Sequence, residues 1–172
     1  MTATDTRSAR SAASPAGEPR VAGRSVLVVA VGNDLMGDDG LGLIAGEILQ
    51  AEGLPVHLTD RSGLALVDAV EGVRRVLLID SQTSGRRPGT VLEYVMEPEA
   101  PRSPATHYLG YAEALAVARA LGMTLPEEIR VLAVECTSDL QFGAGLSEAV
   151  RAALPAVLDR ARVILDTWSA AQ

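Results

Sequence analysis

Gly32-Asn33-Asp34-Leu35-Met36-Gly37-Asp38-Asp39-Gly40 decides how this chain is to be read. The stretch follows a six-residue apolar run, Val26-Leu27-Val28-Val29-Ala30-Val31, and leads into a helix-like segment ending near Glu52. A buried strand, a tight glycine-bearing turn and a helix start together place a binding loop at the carboxyl edge of a parallel sheet. Two adjacent acids in such a loop would repel a phosphate. Asp38 and Asp39 point instead to a cation or a proton. Carboxylates at a helix start also cap free N–H groups and meet the positive end of the helix dipole. That role accounts for one acid more readily than for two that project in different directions.

Outward from this loop, strands and helices alternate. Val26–Val31 reads as a strand, Gly42–Glu52 as a helix closing at Gly53, and Pro55–Asp60 as a shorter strand. Leu64–Val70 is a short helix stopping near Gly72, and Val76–Asp80 an apolar strand with an acid at its end. Thr90–Val95 is a fourth strand, Leu109–Leu121 an Ala-rich helix, Val131–Cys136 a fifth strand and Ser147–Trp168 a long final helix. The pattern predicts an α/β three-layer sandwich: a five-stranded, mostly parallel sheet with helices on both faces. Residues 25–172 form its single domain, and the Ser/Ala/Arg-rich residues 1–24 read as a disordered tail with no apolar signal-peptide core.

One connection breaks the alternation. Only Ser81–Gly89 separates the third strand from the fourth, whereas a parallel crossover needs a dozen or more residues. The fourth strand is therefore expected to run antiparallel. The segment Met96–Thr106 carries three prolines and no helical period. About ten extended residues reach roughly 33 Å, enough to return the chain along a strand of about 17–20 Å. The next helix would then start at the edge that holds Asp39 and Asp80, with His107 at its beginning.

Composition narrows the function classes. The 172 residues are 48% hydrophobic and 22% charged, ordinary for a soluble globular protein. A formal net charge of -7 and the complete absence of lysine disfavour nucleic-acid and anionic-membrane binding. The single cysteine, Cys136, excludes a disulfide framework and fits a reducing cytoplasm. No apolar run approaches the roughly 18 residues of a membrane span. There is no Gly-x-Ser-x-Gly elbow, no Walker loop, and no Gly-x-Gly-x-x-Gly spacing in the first turn.

Asp39, Asp80 and His107 are the candidate constellation. Two carboxylates and an imidazole suit a borderline divalent ion while leaving coordination positions open. Each has a plainer competitor: helix capping for Asp39, capping of the Ser81-Gln82-Thr83 turn for Asp80, and a surface position for His107. His57, inside a strand, reads as structural. Glu135, Cys136 and Asp139 lie at the same edge and could back the site from behind. A nucleophilic Cys136 paired with His107 is a weaker alternative, because a lone strand-end cysteine usually packs as a small apolar residue. Arg74, Arg75, Arg86 and Arg87 are the only basic concentration, read as a solvated face.

With these residues in hand, the chain resembles the hydrogenase maturation endopeptidases, which trim the C-terminal extension from the large subunit of nickel–iron hydrogenases. Gly32-Asn33-x-Leu35-x-x-Asp38-Asp39-Gly40-x-Gly42 is similar to that family's opening signature. Leu78-Ile79-Asp80, Thr106-His107 and Phe142-Gly143-Ala144-Gly145-Leu146-Ser147 add support. The resemblance implies that Asp39, Asp80 and His107 contact nickel already installed in the substrate, with no organic cofactor. It also implies a cytoplasmic enzyme whose partner is the large-subunit precursor, with no nucleic acid or membrane. Gly32, Asn33, Asp38, Ser62 and Gly63 would handle the substrate. The loop Asp60-Arg61-Ser62-Gly63 departs from the family's common Asp-Gly-Gly-Thr. Two rivals stand beside this reading: a non-catalytic nickel-binding maturation chaperone of the same fold, and a different hydrolase such as a peptidyl-tRNA hydrolase or nucleoside phosphorylase.

Overall fold

Strands that are apolar along most of their length belong in the middle of a sheet covered on both faces. In the computed structural model, β1 (Val26–Val31), β3 (Arg75–Gln82) and β5 (Glu128–Glu135) take those places. The shorter β2 (Val56–Thr59) and β4 (Val91–Val95) form the edges, in the order β2-β1-β3-β5-β4. The structure describes residues 25–61, 63–97, 110–137, 142–143 and 145–170. The expected tail, residues 1–24, lies outside them. β1, β2, β3 and β5 are mutually parallel, and β4 runs antiparallel to β5 with Val91 opposite Val134. The short third-to-fourth connection thus reverses the chain as expected.

Among the described residues, two helices cover each face. α1 (Leu41–Ala51) and α4 (Glu148–Ala170) pack on Leu77 and Ile79 of β3 and on Leu132 and Val134 of β5. α2 (Leu64–Val70) and α3 (Tyr111–Ala120) pack on Val76, Leu78, Val131 and Ala133. Odd residues of β3 therefore face one layer and even residues the other, as the two-residue period of a strand requires. The alternation puts Asp80 on the side of α2 and α3, and Ser81 on the side of α1 and α4.

The glycine at position 42 explains how α1 docks. A Cβ there would lie 1.9 Å from the Val31 carbonyl oxygen and 2.8 Å from that of Ile79. Only a residue without a side chain lets the first turn of α1 rest against the ends of β1 and β3.

Two strand boundaries differ from the sequence reading by more than one residue. β3 continues two residues past Asp80, because Ser81 and Gln82 still pair with Val134 and Glu135. β5 begins at Glu128 rather than Val131, since Glu128-Ile129-Arg130 pairs with Arg75-Val76-Leu77. Arg130 is accommodated there by Glu128 at 2.5 Å and by the Trp168 ring, 5.8 Å from its guanidinium carbon. No helix among the described residues is long and apolar enough to cross a membrane.

Candidate active site

Asp39 is held by its backbone before its side chain meets anything. It lies in a 3-10 turn, Gly37–Gly40, between β1 and α1. Its carbonyl accepts from the Asn33 amide at 3.2 Å, and its own amide donates to the Met36 carbonyl at 3.2 Å. A Cβ at position 32 would meet that Asp39 carbonyl at 2.2 Å, so Gly32 is what allows the loop to fold back. The Gly32 amide also donates to Thr59 at the end of β2, at 3.1 Å. Asn33 stiffens the turn by accepting from the Leu35 amide at 3.0 Å.

Asp80 comes from the neighbouring strand. Its Oδ1 accepts from the Ser81 amide at 2.7 Å, and its Oδ2 accepts from the Tyr111 hydroxyl, at the start of α3, at 3.1 Å. The Ser81 hydroxyl donates to Asp39 Oδ1 at 2.7 Å. The two acids are thus joined through one serine. Burial pushes the Asp80 carboxyl up to about 7, against the two hydrogen bonds that favour its charge, and the nearby Asp39 adds to the rise. Burial and the neighbouring Asp80 likewise keep the Tyr111 phenol protonated above its ordinary range.

The other sequence-marked residues divide. Asp38 is buried and turns to α4, accepting from the Ser147 amide at 2.6 Å and the Ser147 hydroxyl at 3.0 Å. It caps neither the turn it sits in nor α1; it holds Ser147, whose hydroxyl accepts from the Val150 amide of α4 at 3.4 Å. Gly63 precedes α2 with φ of 63° and accepts from the Leu66 amide at 3.1 Å. His107, Ser62 and Asp139 lie outside the described residues. Among the described residues, no three His, Cys, Asp or Glu side chains are grouped to hold a metal ion. His57 is in β2, opposite Val29.

Glu135 is fully buried, and it anchors the loop between β3 and β4. It accepts from the Ser84 amide at 2.6 Å, the Ser84 hydroxyl at 2.7 Å and the Arg86 amide at 3.0 Å. Burial works against its charge, but these bonds win and hold the carboxyl down at about 2. Cys136 is buried and donates to the Gln82 carbonyl at 3.2 Å. The basic quartet is split by the length of β3: Arg74 pairs with Glu127 at 2.8 Å, while Arg86 reaches Ser84 at 3.0 Å.

No family profile matches the chain. Individual proteins do. The NiFe hydrogenase maturation protease HybD from Thermococcus kodakarensis is 30% identical, covering 81% of this chain and 97% of that one, with a TM-score of 0.61. The chain belongs to the nickel–iron hydrogenase maturation proteases. The hydrogenase expression/formation protein HupD of Rhizobium leguminosarum bv. viciae is 29% identical over 156 residues, spanning 85% of this chain and 76% of HupD. The Escherichia coli hydrogenase maturating endopeptidase HybD, 24% identical with a TM-score of 0.66 and covering 83% of this chain and 92% of its own, shares the fold.

In this maturation protease the sequence marks Asp39 and Asp80 but not the two side chains that hold them. Ser81 follows an acid at the end of an apolar run, which reads equally well as a turn. Tyr111 opens α3 and is one of three tyrosines in the chain. An aromatic residue with a hydroxyl at the start of a helix is the available signal.

Proposed function

We propose that this protein is an endopeptidase that removes the C-terminal extension of a nickel–iron hydrogenase large subunit after nickel insertion. Asp39, Asp80 and His107 would engage the nickel carried by the precursor, so that only metal-loaded substrate is positioned for cutting. The observation that carries this reading is the convergence of Asp39 and Asp80 on one serine at the carboxyl edge of the sheet. Membership of the maturation protease family supplies the reaction class.

The chemistry of the pair fits the role. Two carboxylates offer oxygen donors to a borderline cation and leave positions for the substrate's own ligands. Either the substrate's metal or a carboxylate such as Asp80 would activate the attacking water. A bound cation would draw the Asp80 carboxyl back down and favour the charged form.

The test is to incubate the purified protein with nickel-loaded and nickel-free precursor and detect the released C-terminal peptide by mass spectrometry. Cleavage of the loaded form alone is expected, and Asp39→Asn should lower it by at least about 100-fold. Equal cleavage of both forms would refute the checkpoint. Binding of loaded precursor with no released peptide would make the protein a chaperone instead.

A further inference from the structure

Asp39 and Asp80 reach the sheet's carboxyl edge from different directions, one on the turn before α1 and the other on β3, facing α2 and α3. Neighbouring residues of a strand point to opposite faces. The residue after Asp80 therefore points its side chain away from Asp80, and reaches both acids by giving its backbone to one and its side chain to the other. Ser81 does this, with its amide 2.7 Å from Asp80 Oδ1 and its hydroxyl 2.7 Å from Asp39 Oδ1.

We propose that Ser81 is a positioning residue that clamps Asp39 and Asp80 at a fixed separation and orientation for recognition of the precursor's metal. The inference rests on the reading that these two acids engage substrate-borne nickel. Two carboxylates close together repel each other, and Asp39 on its short side chain can relieve the repulsion by rotating away. A hydrogen bond from a hydroxyl to a charged carboxylate is among the stronger neutral-to-ion contacts and opposes that rotation. Ser81 also ties the tilt of Asp39 to the end of β3, so the donor pair is arranged before the metal arrives. Alanine at this position keeps the amide for Asp80 and loses only the bond to Asp39. Threonine keeps both donors and suits a strand.

The experiment uses a precursor made uncleavable by proline after its scissile bond, nickel-loaded and nickel-free. Calorimetric Kd values are taken with the wild type, Ser81→Ala, Ser81→Thr and Asp39→Asn. Ser81→Ala is expected to weaken binding of the loaded precursor by about tenfold, the scale of one lost bond to a carboxylate, and to leave the nickel-free form unchanged. Ser81→Thr should stay within about twofold of wild type. Three results overturn the clamp while Asp39→Asn still abolishes the preference for nickel: Ser81→Ala equal to wild type, alanine and threonine equally impaired, or loss of affinity for both precursor forms alike. A wild type without preference, or an Asp39→Asn that keeps it, overturns the underlying reading and the clamp with it.

Discussion

Tyr111 donates to a carboxylate that burial is trying to neutralise, and the two influences on Asp80 oppose each other. Removing the phenol in Tyr111→Phe takes away a bond that favours the charged form. A bond of about 1.5 kcal/mol to a charged group corresponds to about one pH unit. The acid limb of the processing rate against pH should therefore move upward by about that much, with the alkaline limb unmoved. The same carboxyl sets a stability signature. Asp80 takes up its proton at a higher pH in the folded chain than in the unfolded one. Between its ordinary value and about 7 the folded state binds more protons, so stability falls as pH rises through that window. Asp80→Asn carries no charge to bury. Its Tm should exceed that of the wild type by more at pH 8 than at pH 5, as thermal unfolding monitored by circular dichroism would reveal. At this scale the sequence was half legible. An acid pair after an apolar strand announces a site, but which acid serves it depends on side-chain direction. Asp38 and Asp39 are adjacent and indistinguishable by type, yet one faces Ser147 and the other Ser81.

Elements in this fold are joined by contacts that tolerate little change. Asp38 satisfies the Ser147 amide and hydroxyl just ahead of α4, and Ser147 in turn reaches the Val150 amide at 3.4 Å. Asp38→Ala should cost about 1–3 kcal/mol, the scale of hydrogen bonds to a charged group that hold the residue capping α4. Ser147→Ala should cost less when made on top of it than when made alone, and a double-mutant cycle by urea unfolding measures that coupling. The start of α1 is stricter. A methyl group on Gly42 would press into two strand carbonyls, so Gly42→Ala should destabilise by at least about 3 kcal/mol or fail to fold. Apolar runs and glycine stops made the central elements easy to place from the sequence. Glu128-Ile129-Arg130 was missed as strand because charged residues interrupt the apolar pattern. Their burial is made tolerable by partners far away in the chain, Trp168 among them.

The whole molecule is two cores on either side of one sheet, and the sheet contributes to both. Neither core can lose its strands without the other, which argues for a single cooperative transition. Trp168, the sole tryptophan, lies in the α1–α4 core. Its fluorescence and the far-ultraviolet circular dichroism should follow coincident urea curves, and separate midpoints would show that the layers unfold independently. Topology at this scale was legible because loop length restricts strand direction: the short link after β3 required the reversal of β4. The start of α3 beside Asp80 follows from the same reasoning, and the Tyr111 contact places it there. The layered arrangement also bears on what happens when cargo arrives. Asp39 belongs to the tier of α1, whereas Asp80 faces the tier of α2 and α3. A cation gripped by both would act as a rivet through the rim of the sheet, making the protease stiffest while it holds its client and loosest once it lets go.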